Sequence, residues 1–91
     1  MIICHCDLHF ELPYAHSLKG RRSIVNSIRE RLKSFNVSVM DISGEYPKEA
    51  DIAVVFLSPT ARAAAQYRDA IEQMLERHFP ELQYTMAYEE L

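Results

Sequence analysis

Three features of the sequence predict an α+β fold with the order βαββαβ: strict two-residue alternation at the start, two amphipathic segments of helical period, and a proline, glycine or asparagine near each junction. From Ile2 to Leu12 the even positions Ile2, Cys4, Cys6, Leu8, Phe10 and Leu12 are apolar, while His5, Asp7, His9 and Glu11 occupy odd ones. Side chains of an extended chain point alternately to opposite faces, so this is a first strand with one face on a core. Pro13 ends it, and Tyr14-Ala15-His16 leads to Ser17, whose hydroxyl suits the N-cap of a helix carrying Leu18, Val25, Ile28, Leu32 and Phe35. That helix is expected to reach about Phe35, where Asn36 breaks it. Val37 to Ile42 reads as a second strand with a polar side suited to a sheet edge, and Ser43 to Ala50, with Gly44 and Pro47, as a loop. Ile52 to Leu57 is continuously apolar, as a central strand is. Ser58-Pro59 reads as the N-cap and first position of a second helix, in which Ala64, Tyr67, Ile71, Met74 or Leu75, and His78 share a face. It is expected to end near Phe79, before Pro80. Leu82, Tyr84, Met86 and Tyr88 then alternate with Gln83, Thr85, Ala87 and Glu89 in a fourth strand.

This order predicts the ferredoxin-like arrangement, a four-stranded antiparallel sheet with two helices on one face, as one domain over residues 1–91. Right-handed crossovers place strands one and three in the centre. Cys4 and Cys6 then lie under the helices as small buried hydrophobes, whereas His5, Asp7 and His9 look out from the open face. Strand three is apolar on both sides, so either Ile52, Val54 and Phe56 or Ala53, Val55 and Leu57 reach that open face. Self-association, as a dimer through this face or an edge strand, is therefore expected. A concentration-independent monomer mass in light scattering would contradict it.

Composition bounds the function classes. The chain has 91 residues, 48% of them hydrophobic, too few for two independent cores. No run approaches the roughly 18 apolar residues that a membrane helix needs, and the charged start of the chain is unlike a signal peptide. A cytoplasmic protein with two reduced thiols, and no membrane partner, is expected. The net charge of −3 is unevenly placed: Pro13 to Val37 holds six basic residues against the single acid Glu30, a local +5, leaving −8 elsewhere.

The cations fall on helix one. Lys19, Arg21 and Arg22 sit near its start, where the dipole and free amides already favour anions, so a phosphate-binding site is indicated. Lys19, Arg22, Asn26, Arg29 and Lys33 share a stripe long enough to follow several phosphates of an RNA backbone. Arg21 projects with Val25, Ile28 and Leu32, and is expected to snorkel past the core or pair with a carboxylate such as Glu11. His16, just before the N-cap, stands beside the cationic turn and suits anion contact or proton transfer. His5, Asp7 and His9 could hold a metal only with help from an adjacent strand, and Cys4 and Cys6 lack further ligands, so no metal and no cofactor are assigned. No catalytic residue is assigned either: Ser17 beside His16 lacks an acid partner, and an N-cap needs serine regardless. The loop from Leu12 to His16 has no glycine, against an acylphosphatase, and strand one lacks the open-face aromatics of an RNA-recognition domain.

The run Asp7-Leu8-His9, Leu12-Pro13, Ala15-His16-Ser17-Leu18-Lys19 and Arg21-Arg22, followed by Phe35-Asn36-Val37-Ser38-Val39, resembles the YlxP-like family of small bacterial proteins of unknown function. The likeness is close over about the first half of the chain. Gly20 stands where an acidic residue is usual, and the Ser43 to Ala50 loop lacks the usual tryptophan. The resemblance implies a ferredoxin-like domain with no established enzymatic activity, whose gene neighbourhood suggests a ribosome- or RNA-associated role. Its basic signature lands on Lys19, Arg21 and Arg22. The leading expectation is a non-enzymatic protein docking on structured RNA or a ribosomal subunit. The alternative is a dimeric small-ligand or regulatory domain with its site near His16 and Arg22.

Overall fold

The computed structural model describes residues 1–91. The elements are β1 (Ile2–Glu11), α1 (Leu18–Leu32), β2 (Ser38–Asp41), β3 (Glu49–Ser58), α2 (Ala61–His78) and β4 (Gln83–Glu90). The strands form one antiparallel sheet in the order β2-β3-β1-β4, so β1 and β3 are central as the crossover rule requires. Both helices pack on one face, the ferredoxin-like arrangement read from the sequence.

The alternation in β1 sorts its side chains. Cys4, Cys6, Leu8 and Phe10 are fully buried beneath the helices and join Ile52, Val54, Phe56, Val25, Ile28, Leu32, Ala64, Ile71 and Leu75 in one core cluster. Of the two alternatives for strand three, Ile52, Val54 and Phe56 face this core, while Ala53, Val55 and Leu57 lie on the open face. The Cys4 and Cys6 sulfurs are 3.8 Å apart as free thiols. Burial and the neighbouring Cys4 push the Cys6 thiol up to about 12, so it behaves as an apolar group.

Ser17 caps α1 as expected, its hydroxyl accepting from the Gly20 amide at 3.0 Å. The helix stops at Leu32 rather than Phe35, because the Ser34 and Phe35 amides turn back to the carbonyls of Arg31 and Leu32. That tight turn sends Phe35 edge-on against Tyr67 of α2, at 5.6 Å between ring centroids. The Asn36 amide donates to the Tyr67 hydroxyl at 2.6 Å and fixes the exit from α1.

The other boundary differences have local causes. The N-cap of α2 is Thr60, accepting from the Ala63 amide at 3.1 Å, rather than Ser58. Ser58 is still paired with Ile2 at the end of β3, and Pro59 favours an extended residue before it. β3 begins at Glu49, inside the segment read as a loop, because the β1 ladder runs on to pair Glu11 with Glu49. β4 extends through Glu90 for a similar reason, with Glu89 opposite His5 and Glu90 opposite Cys4. On α2, His78 is exposed, whereas Arg68 is buried on the face that packs against the sheet.

Candidate functional site

The site begins with α1, whose apolar stripe of Val25, Ile28 and Leu32 fixes its rotation on the sheet. Residues one step further round the helix, Arg22, Asn26, Arg29 and Lys33, are consequently exposed, as are Lys19 and His16 at the N-terminal end. Arg21 and Arg29 are close enough to Asp41 for their charges to act on it, which places the stripe on the β2 flank. Burial pushes the Asp41 carboxyl up, but the Ser43 hydroxyl and amide donate to it and hold it below the usual carboxylate range.

The cations divide by partner. Lys33 pairs with Glu30 at 2.7 Å on the surface, where solvent screens the interaction and leaves it little weight in stability. Arg21 does not pair with Glu11 or any other carboxylate. Its guanidinium donates to the carbonyls of Tyr46 at 2.9 Å and Glu49 at 3.3 Å, so it ties the β2–β3 connection to α1. Both bonds come from Nη1, which the two carbonyls flank, whereas Glu11 projects from the open sheet face on the other side. Lys19, Arg22, Arg29 and Arg31 enter no ion pair. With no acid in the first turn to answer the dipole, this end of α1 carries uncompensated positive charge.

On the opposite face the charge reverses. The strand register sets His9 beside Asp51, and Glu11 beside Glu49. His9 Nδ1 lies 2.7 Å from Asp51 Oδ1, and His9 Nε2 lies 3.1 Å from Glu11 Oε1. These bonds, Asp51 first and Glu11 second, raise the His9 pKa above its ordinary value. A raised folded value means that His9 stabilises the fold fully below the unfolded value of about 6.5 and loses that contribution as pH rises through the folded value. Asp51→Asn is expected to lower the His9 pKa, read by its imidazole NMR titration in metal-free buffer; an unchanged midpoint would contradict the geometry.

Sequence reasoning missed Glu49 because Gly44 and Pro47 marked Ser43 to Ala50 as a loop, and Asp51 because it fell between that loop and the strand read from Ile52. The missing signal was present: Glu49, Asp51 and Ala53 alternate with Ala50, Ile52 and Val54. It missed Arg68 because a cation at a core-facing helical position contradicts the binary pattern.

A cavity of about 310 Å³ lies between the β1–α1 loop, α1 and the α2–β4 connection, lined by Leu12, Ala15, Ile24, Phe79 and Leu82 among others. No helix is long and apolar enough to cross a membrane.

No curated protein matches the chain. Among solved structures it is similar to the de novo designed protein Foldit4, with a TM-score of 0.55 and 11% identity over 97% of this chain and 94% of that one. It is also similar to the de novo designed protein LFR1 1 with ferredoxin fold, at a TM-score of 0.56 and 15% identity over 97% of this chain and 85% of that one. A formyltetrahydrofolate deformylase from Pseudomonas putida KT2440 matches at a TM-score of 0.50 and 13% identity over 98% of this chain, which spans only 28% of that enzyme. These likenesses show the fold alone. A family model described as a protein of unknown function, DUF503, matches residues 3–88, and the chain belongs to that family.

Proposed function

We propose that this protein is a non-enzymatic cytoplasmic binding protein that docks on structured RNA or a ribosomal subunit through the cationic flank of α1. The observation that carries the reading is the set of exposed cations, Lys19, Arg22 and Arg29, that lack any carboxylate partner on one stripe. Asn26 supplies a neutral hydrogen-bonding group between them, and His16 and Lys33 extend the surface at its two ends. Arg21 contributes by holding the Tyr46 and Glu49 carbonyls rather than by touching phosphate. The resemblance of Lys19, Arg21 and Arg22 to the YlxP-like basic signature supports the same surface.

The acidic open face repels phosphate, so only one side of the molecule can approach RNA. Affinity then comes from a few phosphate contacts, with low sequence selectivity. Equilibrium binding to folded ribosomal RNA across a salt series tests this. A linear log–log dependence with a slope of about −2 to −4 is expected for three or four contacting cations; a salt-independent affinity would contradict it.

The cavity of about 310 Å³ favours a second reading, a dimeric small-ligand domain. The exposed Ile3, Met40, Val55 and Leu57 on the open face give such a dimer apolar surface to cover. A single monomer mass at all concentrations in light scattering would contradict this reading.

A further inference from the structure

The open face carries a second cluster whose chemistry differs from that of the α1 flank. His9, Glu11 and Glu49 each offer one ligand atom, and these atoms all lie within 4.8 Å of one another. His9 and Glu11 are two apart on β1, and Glu49 is the cross-strand partner of Glu11 on β3, so three donors are fixed by two adjacent, hydrogen-bonded strands. We infer that His9, Glu11 and Glu49 form a binding site for one divalent transition-metal cation of the Zn²⁺ type, with Asp51 as a positioning residue.

The donor set argues for that class of ion. One imidazole with two carboxylates is a borderline nitrogen and oxygen set that suits Zn²⁺ better than the all-oxygen shells preferred by Ca²⁺ or Mg²⁺. Bonds of about 2.0–2.2 Å place neighbouring ligands roughly 3–4 Å apart, a contraction that rotation of the exposed Glu11 and half-buried Glu49 side chains supplies. Asp51 lies 2.7 Å from Nδ1, the arrangement that commits one ring nitrogen to a carboxylate and leaves Nε2 to bind a metal. In the neutral tautomer that donates Nδ1–H to Asp51, the Nε2 lone pair faces Glu11 Oε1 at 3.1 Å and is free to bind a metal. A cation between Nε2 and Glu11 Oε1, whether a proton or a metal ion, satisfies both atoms, and Glu49 brings a third acceptor within 4.8 Å.

The neighbouring lysine does not fill that role. Lys48 turns away and donates to the Pro13 carbonyl at 2.7 Å. Glu11 and Glu49 also border an open cavity of about 730 Å³ near Tyr14, Tyr46 and Glu81, which leaves room for water or an exogenous ligand at the remaining coordination positions. Cys4 and Cys6 are on the other side of the sheet, buried under the helices, and take no part.

Calorimetric titration of the metal-free full-length protein with Zn²⁺ tests the site. One ion per chain is expected, and His9→Gln or Glu49→Gln should each weaken binding at least tenfold, with Asp51→Asn weakening it about 10- to 100-fold as an orienting carboxylate does. His5→Gln, outside the cluster, should leave affinity unchanged. Co²⁺ substitution should give a spectrum without thiolate charge-transfer absorption. All four side chains are at least partly exposed, and far-UV circular dichroism of each variant checks that the fold is retained. Absence of a saturable site at millimolar Zn²⁺, equal affinity in the His9 and Glu49 variants, or a thiolate band with Co²⁺ would each overturn the proposal. In the first case His9 holds its carboxylates as a protonated imidazolium alone.

Discussion

Reversing two charges, with Arg22→Glu and Arg29→Glu together, is expected to abolish measurable association with RNA or ribosomal subunits at physiological salt while leaving the fold intact. Each phosphate-contacting cation removed flattens the log–log salt slope by about 1, so the double variant loses about 2 of that slope. Together with the repulsion from two new carboxylates, affinity should fall by roughly 30- to 100-fold. The fold should survive because both side chains are exposed and unpaired. The helix dipole favours the new acid nearer the N-terminus and disfavours the one nearer the C-terminus, each by about 0.3–1 kcal/mol, so these effects largely cancel. Filter binding and circular dichroism on the same preparation check both halves. Undiminished binding would show that the stripe is not a phosphate track, and a lost helical signal would show that these arginines carry structure.

Arg68→Ala is expected to have the largest effect on stability of any single polar substitution. The side chain is only 10% exposed, yet it carries a full charge beneath β4. Its guanidinium donates to Glu90 Oε1 at 2.9 Å and to Cys4 Sγ at 3.4 Å, and its carbon lies 3.6 Å from the centroid of the Tyr88 ring. One residue thus ties α2 to both β1 and the last turn of the sheet edge. Removing one member of a fully buried pair costs about 3–5 kcal/mol, and the partly solvated Glu90, 28% exposed, reduces that to about 2–3 kcal/mol. For a chain of this length the loss corresponds to roughly 10–20 °C in Tm. Arg68→Met, which keeps the aliphatic packing, should lose less, because the remaining carboxylate can turn to water. Urea denaturation of the two variants beside the parent checks the order. Equal stability of Arg68→Ala and the parent would mean that the ion pair and the ring stacking are offset by desolvation.

The fold was legible because its signals are local and repeated. Alternation from Ile2 to Leu12 names the buried face of β1 residue by residue, and Ser17 marks the start of α1 through a single hydroxyl. What escaped the sequence depended on register. Glu49 and Asp51 acquire meaning only when antiparallel pairing sets them against Glu11 and His9, and the alternation around them marks a strand without naming those partners. Arg21 escaped for a related reason: its partners are backbone carbonyls, which every residue possesses, so composition cannot point to them. The exposed part of the α1 stripe was visible from helical spacing, since rotation of an amphipathic helix is fixed by its apolar side. The inward charge of Arg68 was not, because its ring and carboxylate partners lie some twenty residues further along the chain, at Tyr88 and Glu90.

Docking of the α1 flank on a ribonucleoprotein surface through phosphates is a proposal with a direct test. Co-sedimentation of the purified protein with bacterial ribosomal subunits across a salt series addresses it most directly. The account predicts association with one subunit at low salt that is lost progressively as salt rises, and that Arg22→Glu with Arg29→Glu removes at every concentration. Absence of association at low salt would contradict it, leaving the cavity beside α1 and the exposed Ile3, Met40, Val55 and Leu57 of the open face as the features that function must explain.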